Sequence, residues 1–207
     1  MILSDREIWI AVKERFINID PLPDPGQKGW SSTAIDLHLD SEIRPWNAIE
    51  GAGMDAAIDP AHPKFNTNQL IATHTVPESC NAGYRLRPGA FVLGWTVEKV
   101  KFPHTSRMAA RIEGKSSLAR IGLGVHITAP TIHAGFGVKE TDPTYPGSQI
   151  RLEIWNAGPL EIKLTEGLAI CQLIIEEVHG TPAESYRGQF AVQGPDSTVA
   201  TPPRPQG

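Results

Sequence analysis

Ser4-Asp5-Arg6-Glu7 has the spacing of a capping box, in which the Ser4 hydroxyl accepts from the Glu7 amide, and Ile8, Ala11 and Val12 follow at helical spacing. One N-terminal helix is predicted there. PLPDPGQ (21–27) cannot continue a helix and reads as a loop. Ile35, Leu37 and Leu39 then alternate with Asp36, His38 and Asp40, the period of a half-buried strand. Residues 44–68, rich in Pro, Ala and Asn, keep no clear period and form a long excursion. From Tyr84 onward, short apolar runs recur between Gly and Pro: FVLGWTVE (91–98), RMAARIE (107–113), LGVHIT (123–128), QIRLEIW (149–155), LEIKL (160–164) and LAICQLII (168–175). Such spacing predicts an antiparallel sandwich or barrel rather than a parallel α/β sheet.

In QIRLEIW, Ile150, Leu152 and Ile154 take one face, leaving Arg151, Glu153 and Trp155 together on the other. A carboxylate beside a guanidinium and an indole is unusual strand decoration. Nineteen Gly and eighteen Pro among 207 residues leave little room for long helices, so the class is mostly β. With 19 Lys and Arg against 23 Asp and Glu, the net charge is −4, and no global basic field exists to collect DNA or an acidic membrane. Any anion site must be local. No run approaches the 18 or so apolar residues of a spanning helix, and MILSDREIW lacks the features of an export signal, so a cytoplasmic protein is expected. Cys80 and Cys171 have no partner spacing and are expected as buried free thiols. One domain is expected over 1–180, followed by a polar, Pro-rich mobile arm over 181–207 that orders only against something.

Gly114-Lys115-Ser116-Ser117-Leu118-Ala119-Arg120-Ile121-Gly122 offers free amides, two hydroxyls and two cations at the start of a brief helix. Read from composition alone, it is equally a phosphate-holding turn or an ordinary capped turn with solvated Lys and Arg.

GKSSLARIGLGVHITA (114–129) resembles the Arg-Ser-Ser-Leu-Ala-Arg block and Val-His-x-Thr-Ala strand of the dCTP deaminases, which share a fold with trimeric dUTPases. LEIWNAGPLEIKLTEGLAICQLI (152–174) is similar to that family's Leu-Glu-x-x-Asn-x-Gly and Gly-x-x-Ile-x-Gln-Leu strands. MILSDREI (1–8), AIDLHL (34–39) and YRLRPGAFVLGWTVEKVKFP (84–103) also fit, in order, over nearly the whole chain. The resemblance implies a distorted antiparallel β-barrel or jelly-roll of the dUTPase-like type, with one N-terminal helix and a short helix after the phosphate turn. It further implies a homotrimer with sites at subunit interfaces and a magnesium-bound deoxynucleoside triphosphate as ligand.

Carried over residue by residue, the resemblance makes Glu153 the proton shuttle. Ser116, Arg120 and the carbonyl of Ala129 would place the attacking water. Lys115, Ser117, Leu118 and Ala119 complete the phosphate turn, and Leu152 and Arg151 flank the shuttle. Tyr186, Gln189 and Gln193 belong to an arm motif, Tyr-Arg-Gly-Gln-Phe-Ala-Val-Gln-Gly (186–194), that closes over the ligand. His126, alternating with Val125 and Ile127, reads as structural. Zinc deaminases carry His-x-Glu and Pro-Cys-x-x-Cys. This chain has no Cys-x-x-Cys, so deamination here is expected to run without zinc.

The chain departs from the family pattern where the ligand would sit. Lys115 replaces an Arg, as in related dUTPases, exchanging a fork for a point charge. His133 stands where an Asp is usual; that Asp activates water against the triphosphate in hydrolysing members and touches the sugar in simple deaminases. GVKETDPTYP (137–146) is an insertion of about ten residues beside the site. Gln189 replaces a tail Lys, and Arg151, in place of a small or apolar residue, restores a cation if its strand face points inward. The leading expectation is a zinc-independent deaminase of dCTP or a related deoxycytidine nucleotide; a dUTPase-type pyrophosphatase and a catalytically silent nucleotide-binding regulator are the alternatives.

Overall fold

The computed structural model describes residues 1–26, 28–47, 57–125 and 129–194. Outside them fall His126, part of the 44–68 excursion, the end of the 123–128 strand and the last thirteen residues of the arm.

Helix α1 (Asp5–Lys13) starts where the capping box places it: Glu7 N donates to Ser4 Oγ and Ser4 N to Glu7 Oε2. Its buried face, Ile8 and Ala11, packs on the core. The chain continues through β1 (Asn18–Asp20), β2 (Ile35–Pro45), α2 (Thr67–His74), β3 (Glu78–Ser79), β4 (Tyr84–Leu86), β5 (Phe91–Lys101) and β6 (Met108–Gly114). Next come α3 (Ser116–Ala119), β7 (Leu123–Val125), β8 (Thr131–Ile132), β9 (Ser148–Asn156), β10 (Ile162–Leu164) and β11 (Ala169–Glu177). All pairings are antiparallel, in the order β7-β9-β5-β2-β11-β6-β8, with β1 on β5, β3 on β2 and a separate β10–β4 ribbon. This is the mostly β, curled antiparallel architecture expected from the recurrent short apolar runs.

The 44–68 excursion is followed by a helix that its composition did not announce. α2 is capped by Asn66, whose Oδ1 accepts from Gln69 N at 3.1 Å.

β9 is central because β5 and β7 hold both its edges. Its pairing with β5 skips register between Trp95 and Lys99, and the buried Thr96 fills the gap. Ile150 N donates to Thr96 Oγ1 at 2.9 Å, which donates to Glu98 O at 2.7 Å, while Gln149 Nε2 reaches Thr96 O and Asp40 Oδ2 at 2.6 and 2.8 Å. The bulge leaves these polar groups satisfied, so β9 is held in one register.

At the far end of β9, Asn156 is fully buried. Its Nδ2 donates to Leu86 O (2.9 Å) and Leu160 O (2.8 Å), and its Oδ1 accepts from Gly158 N (2.9 Å). Gly122, at φ +90°, lies so close to this turn that a Cβ would sit 2.2 Å from Gly158 N, and Ala157 N donates to Gly122 O at 2.8 Å. The Asn-x-Gly signature is thus a clasp joining β9, β4 and the end of the α3 turn. Asn156→Ala strands two buried carbonyls and an amide and is expected to destabilise the fold by about 2–4 kcal/mol, read as a lower urea midpoint. An unchanged midpoint would remove the clasp from this account.

Candidate active site

The alternation of β9 survives folding. Ile150, Leu152 and Ile154 are buried in the core, Arg151 and Glu153 are half-buried on the opposite face, and Trp155 is exposed. Across the ladder, Arg151 faces Trp95 and Glu153 faces Leu93. Cross-strand pairs share a face, and the Arg151 guanidinium lies 3.9 Å from the centroid of the Trp95 ring.

That face opens into a cavity of about 390 Å³. Phe91, Leu93, Ile150, Arg151 and Glu153 come from β5 and β9; Ala129, Thr131, Ile132, His133 and Phe136 come from β8 and its flanks. Trp46, Thr67 and Ile71 close one side from the excursion and α2, and Tyr186, Phe190 and Gln193 close another from the arm. Glu153 and Arg151 thus stand in a largely apolar chamber, where charges act through low dielectric.

The arm, through residue 194, is folded against its own chain. Tyr186 N donates to Ala134 O (3.2 Å), Gly137 N to Ala191 O (2.7 Å), Arg151 N to Gln193 Oε1 (3.2 Å) and Gln193 N to Ser148 Oγ (3.0 Å). The Tyr186 ring rests on His133, centroids 4.7 Å apart and planes 31° from parallel. Burial pushes the Tyr186 phenol above its usual range. Gly135 permits this approach: at φ +103°, a Cβ there would lie 2.3 Å from Tyr186 N. The 137–146 insertion runs behind the site, where Lys101 Nζ donates to Pro143 O (3.2 Å) and Tyr145 O (3.0 Å) and Asn18 Nδ2 to Pro146 O (2.7 Å).

Of the residues singled out in the sequence, Glu153, Ala129, His133, Arg151, Tyr186 and Gln193 line this one cavity. Gln189 lines a neighbouring recess of about 40 Å³ with Arg151, Trp95, Phe190 and Gln193. The Leu152 side chain is fully buried and does not line the cavity. The 115–120 turn is not brought to the cavity of its own chain. Lys115 is ion-paired with Asp36, which also accepts from Gln172 Nε2 at 2.9 Å, and Ser116, Ser117, Ala119 and Arg120 are exposed while Leu118 packs partly on the core. Trp46, Thr67, Ile71, Phe91, Leu93, Phe136 and Phe190 were not anticipated as site residues. For α2 the available signal was Asn66 ahead of TNQLIATH. For Phe91 and Leu93 it was their alternation along β5.

Arg151 is the electrostatic cost of this chamber. Burial, then the like charge of Arg44, lowers its pKa to about 10, against the attraction of Glu153 and Glu42. Folding therefore disfavours the cation: the penalty is fully present below about pH 10 and is relieved as the pH rises from there toward the ordinary arginine value. Removing the charge at pH 7 recovers the penalty less the Trp95 stacking, so Arg151→Met is expected to stabilise the unliganded protein by about 1–3 kcal/mol. Urea unfolding between pH 7 and 9 checks this. A net loss of stability would mean the guanidinium is structural.

A family profile described as dCTP deaminase-like matches residues 2–178. A Rhodospirillum rubrum protein named dCTP deaminase is 32% identical over 204 residues, covering 99% of this chain and 96% of the relative. A Dictyoglomus turgidum protein named dCTP deaminase, dUMP-forming, is 36% identical over 185 residues, covering 89% of this chain and 84% of the relative. Among solved structures, the 2'-deoxycytidine 5'-triphosphate deaminase of Agrobacterium tumefaciens superposes with a TM-score of 0.60 at 18% identity, over 86% of this chain. The present chain spans about half the length of that protein, 48%, and the likeness there is one of fold. With a profile match along most of its length and relatives aligned nearly end to end, the chain belongs to the dCTP deaminase-like family.

Proposed function

We propose that the protein deaminates dCTP or a closely related deoxycytidine nucleotide, releasing the deoxyuridine nucleotide and ammonia. The observation that carries this reading is the place of Glu153: a carboxylate held by a doubly paired strand inside an apolar chamber of base-sized dimensions. Glu153 takes a proton from water as its oxygen adds to cytosine C4 and delivers it to ring nitrogen N3. The second water proton, carried by the same carboxylate, goes to the exocyclic amine, which leaves as ammonia when the C4 carbonyl forms. One water enters and one ammonia departs, with no redox change. The Ala129 carbonyl serves as acceptor for the water, and the arm, through Tyr186 and Gln193, excludes bulk solvent. Magnesium arrives on the triphosphate as part of the substrate, and no zinc is required.

His133 carries an imidazole, already stacked on Tyr186, where a carboxylate would be needed to activate water against the phosphates. The product accordingly keeps its phosphates in this reading. In this reading the protein works in the cytoplasm, where the nucleotide pool supplies its substrate. No helix among the described residues is long and apolar enough to cross a membrane. The separation of the 115–120 turn from the chamber of its own chain supports a homotrimer in which Ser116, Arg120 and the phosphate-holding residues reach the chamber of a neighbouring copy. Lys115 reaches it by exchanging Asp36 for phosphate.

Glu153→Gln keeps the shape and removes the proton carrier, so ammonia release from dCTP is expected to fall by about 10²–10⁴-fold while calorimetric binding of magnesium–dCTP persists. Pyrophosphate, assayed in parallel, is expected to stay at background. Undiminished ammonia release would remove Glu153 from its role, and pyrophosphate as main product would replace the deaminase reading.

Sharing of sites between copies is tested by mixing. Glu153→Gln and Arg120→Ala proteins are each expected to be inactive alone and to regain ammonia release after co-refolding, because mixed assemblies pair an intact Glu153 with an intact Arg120. No recovery in assemblies verified as mixed would place both groups in one chain.

A further inference from the structure

The chamber contains more hydrogen-bond donors than the protein itself satisfies. Arg151 Nη1 is buried and has no hydrogen-bond partner among the described residues, and the same holds for Nε1 of Trp46, which also lines the cavity. A buried donor without an acceptor costs more than a made hydrogen bond contributes, and such groups are few in folded proteins. Two at one cavity indicate an acceptor brought by the ligand.

The position of Arg151 narrows what that acceptor is. It sits two residues from Glu153 on the same strand face, about 7 Å along the backbone. Its guanidinium lies over the Trp95 ring and borders the 40 Å³ recess shared with Asn68, Gln189, Phe190, Val192 and Gln193. A water molecule needs roughly 10–15 Å³ of such volume, so the recess is on the scale of a substituent of two or three heavy atoms. Within its own chain the phosphate-holding turn does not reach this cation; phosphate held by a neighbouring copy's turn is the competing acceptor, which the test below separates. With Glu153 at C4, the position one bond away on the same ring edge is C5.

Resting on the deaminase reading above, we propose that Arg151 is a specificity-determining residue that selects cytosine nucleotides carrying a small oxygen-bearing group, hydroxymethyl or carboxyl, on C5. The substituent enters the recess, its oxygen accepts from Nη1, and Trp95 fixes the plane of the guanidinium. An unsubstituted base leaves the donor unpaired, and a 5-methyl group fills the recess with nothing to accept.

The test compares kcat/KM for ammonia release from dCTP, 5-methyl-dCTP, 5-hydroxymethyl-dCTP and 5-carboxy-dCTP in the full-length protein and its Arg151→Met and Arg151→Lys variants. The wild type is expected to prefer the two oxygenated substrates over 5-methyl-dCTP by about tenfold or more, the scale of one charged hydrogen bond. Arg151→Met is expected to bring that ratio to about one, and Arg151→Lys to recover part of it. A wild type that favours dCTP or 5-methyl-dCTP, or a Met variant that slows all four substrates equally, overturns the proposal. Adding dCMP distinguishes a phosphate ligand: a loss in Arg151→Met that follows the number of phosphates rather than the C5 group also overturns it. Calorimetry of the same nucleotides on the Glu153→Gln protein, with and without Arg151→Met, reads the ranking without turnover. Absence of ammonia from every nucleotide therefore defeats the deaminase reading separately, while the binding ranking still decides the role of Arg151.

Discussion

The register of β9 governs the site. Paired along both edges and locked at the bulge by the Thr96 hydroxyl, the strand cannot slip by one residue without driving Ile150, Leu152 and Ile154 out of the core and Arg151 and Glu153 into it. The apolar face thereby aims the polar one. Burial of three aliphatic side chains, each contributing about 1.5–3 kcal/mol, far outweighs the electrostatic cost of holding two charges at the chamber wall. The Asn156 clasp closes the same strand and ties it to the turn that follows α3, so the chamber wall and the neighbouring phosphate-type turn share one mechanical support.

Charge in the chamber is arranged against stability. A guanidinium taken from water and only partly compensated by an indole and two carboxylates is a poor choice for a wall with purely structural duties. Its presence beside Glu153, together with the Trp46 indole N–H that finds no acceptor among the described residues, is the pattern of groups pre-positioned for a ligand. The folded arm covers these groups, held by hydrogen bonds to Ala134, Gly137, Ser148 and the Arg151 amide and by the Tyr186–His133 contact rather than by strand pairing. Such an arrangement opens at modest free energy.

One chain contains half of the proposed chemistry. The chamber and its carboxylate belong together, while the cations and hydroxyls of the 115–120 turn point away from it, with Lys115 engaged by Asp36. An exposed turn carrying the Ser116 and Ser117 hydroxyls and the Arg120 guanidinium is available to another copy, and this is the physical basis for reading the site as shared.

Much of this was written in short-range pattern. The Ser4–Glu7 box, the two faces of β2 and β9, and the recurrence of short apolar runs between Gly and Pro depend on residues within one or two turns or one strand, where local geometry decides the outcome. Glu153 on a polar strand face, with Arg151 beside it, was legible for that reason. The chamber was not. Its walls come from β5, β8, α2 and the arm, with Ile71 and Phe190 about 120 residues apart, and only the tertiary fold brings Phe91, Ile71, His133 and Phe190 around one carboxylate. α2 escaped notice because an eight-residue helix with no buried side chain carries almost no hydrophobic period. The sequence by itself determined which residues of β2 and β9 share a face and where α1 starts, since those follow from backbone periodicity and capping. Which faces meet, which buried donor finds no acceptor among the described residues and which motif lies outside the chamber were decided by long-range pairing, because burial and hydrogen-bond satisfaction are properties of the assembled sheet rather than of any segment.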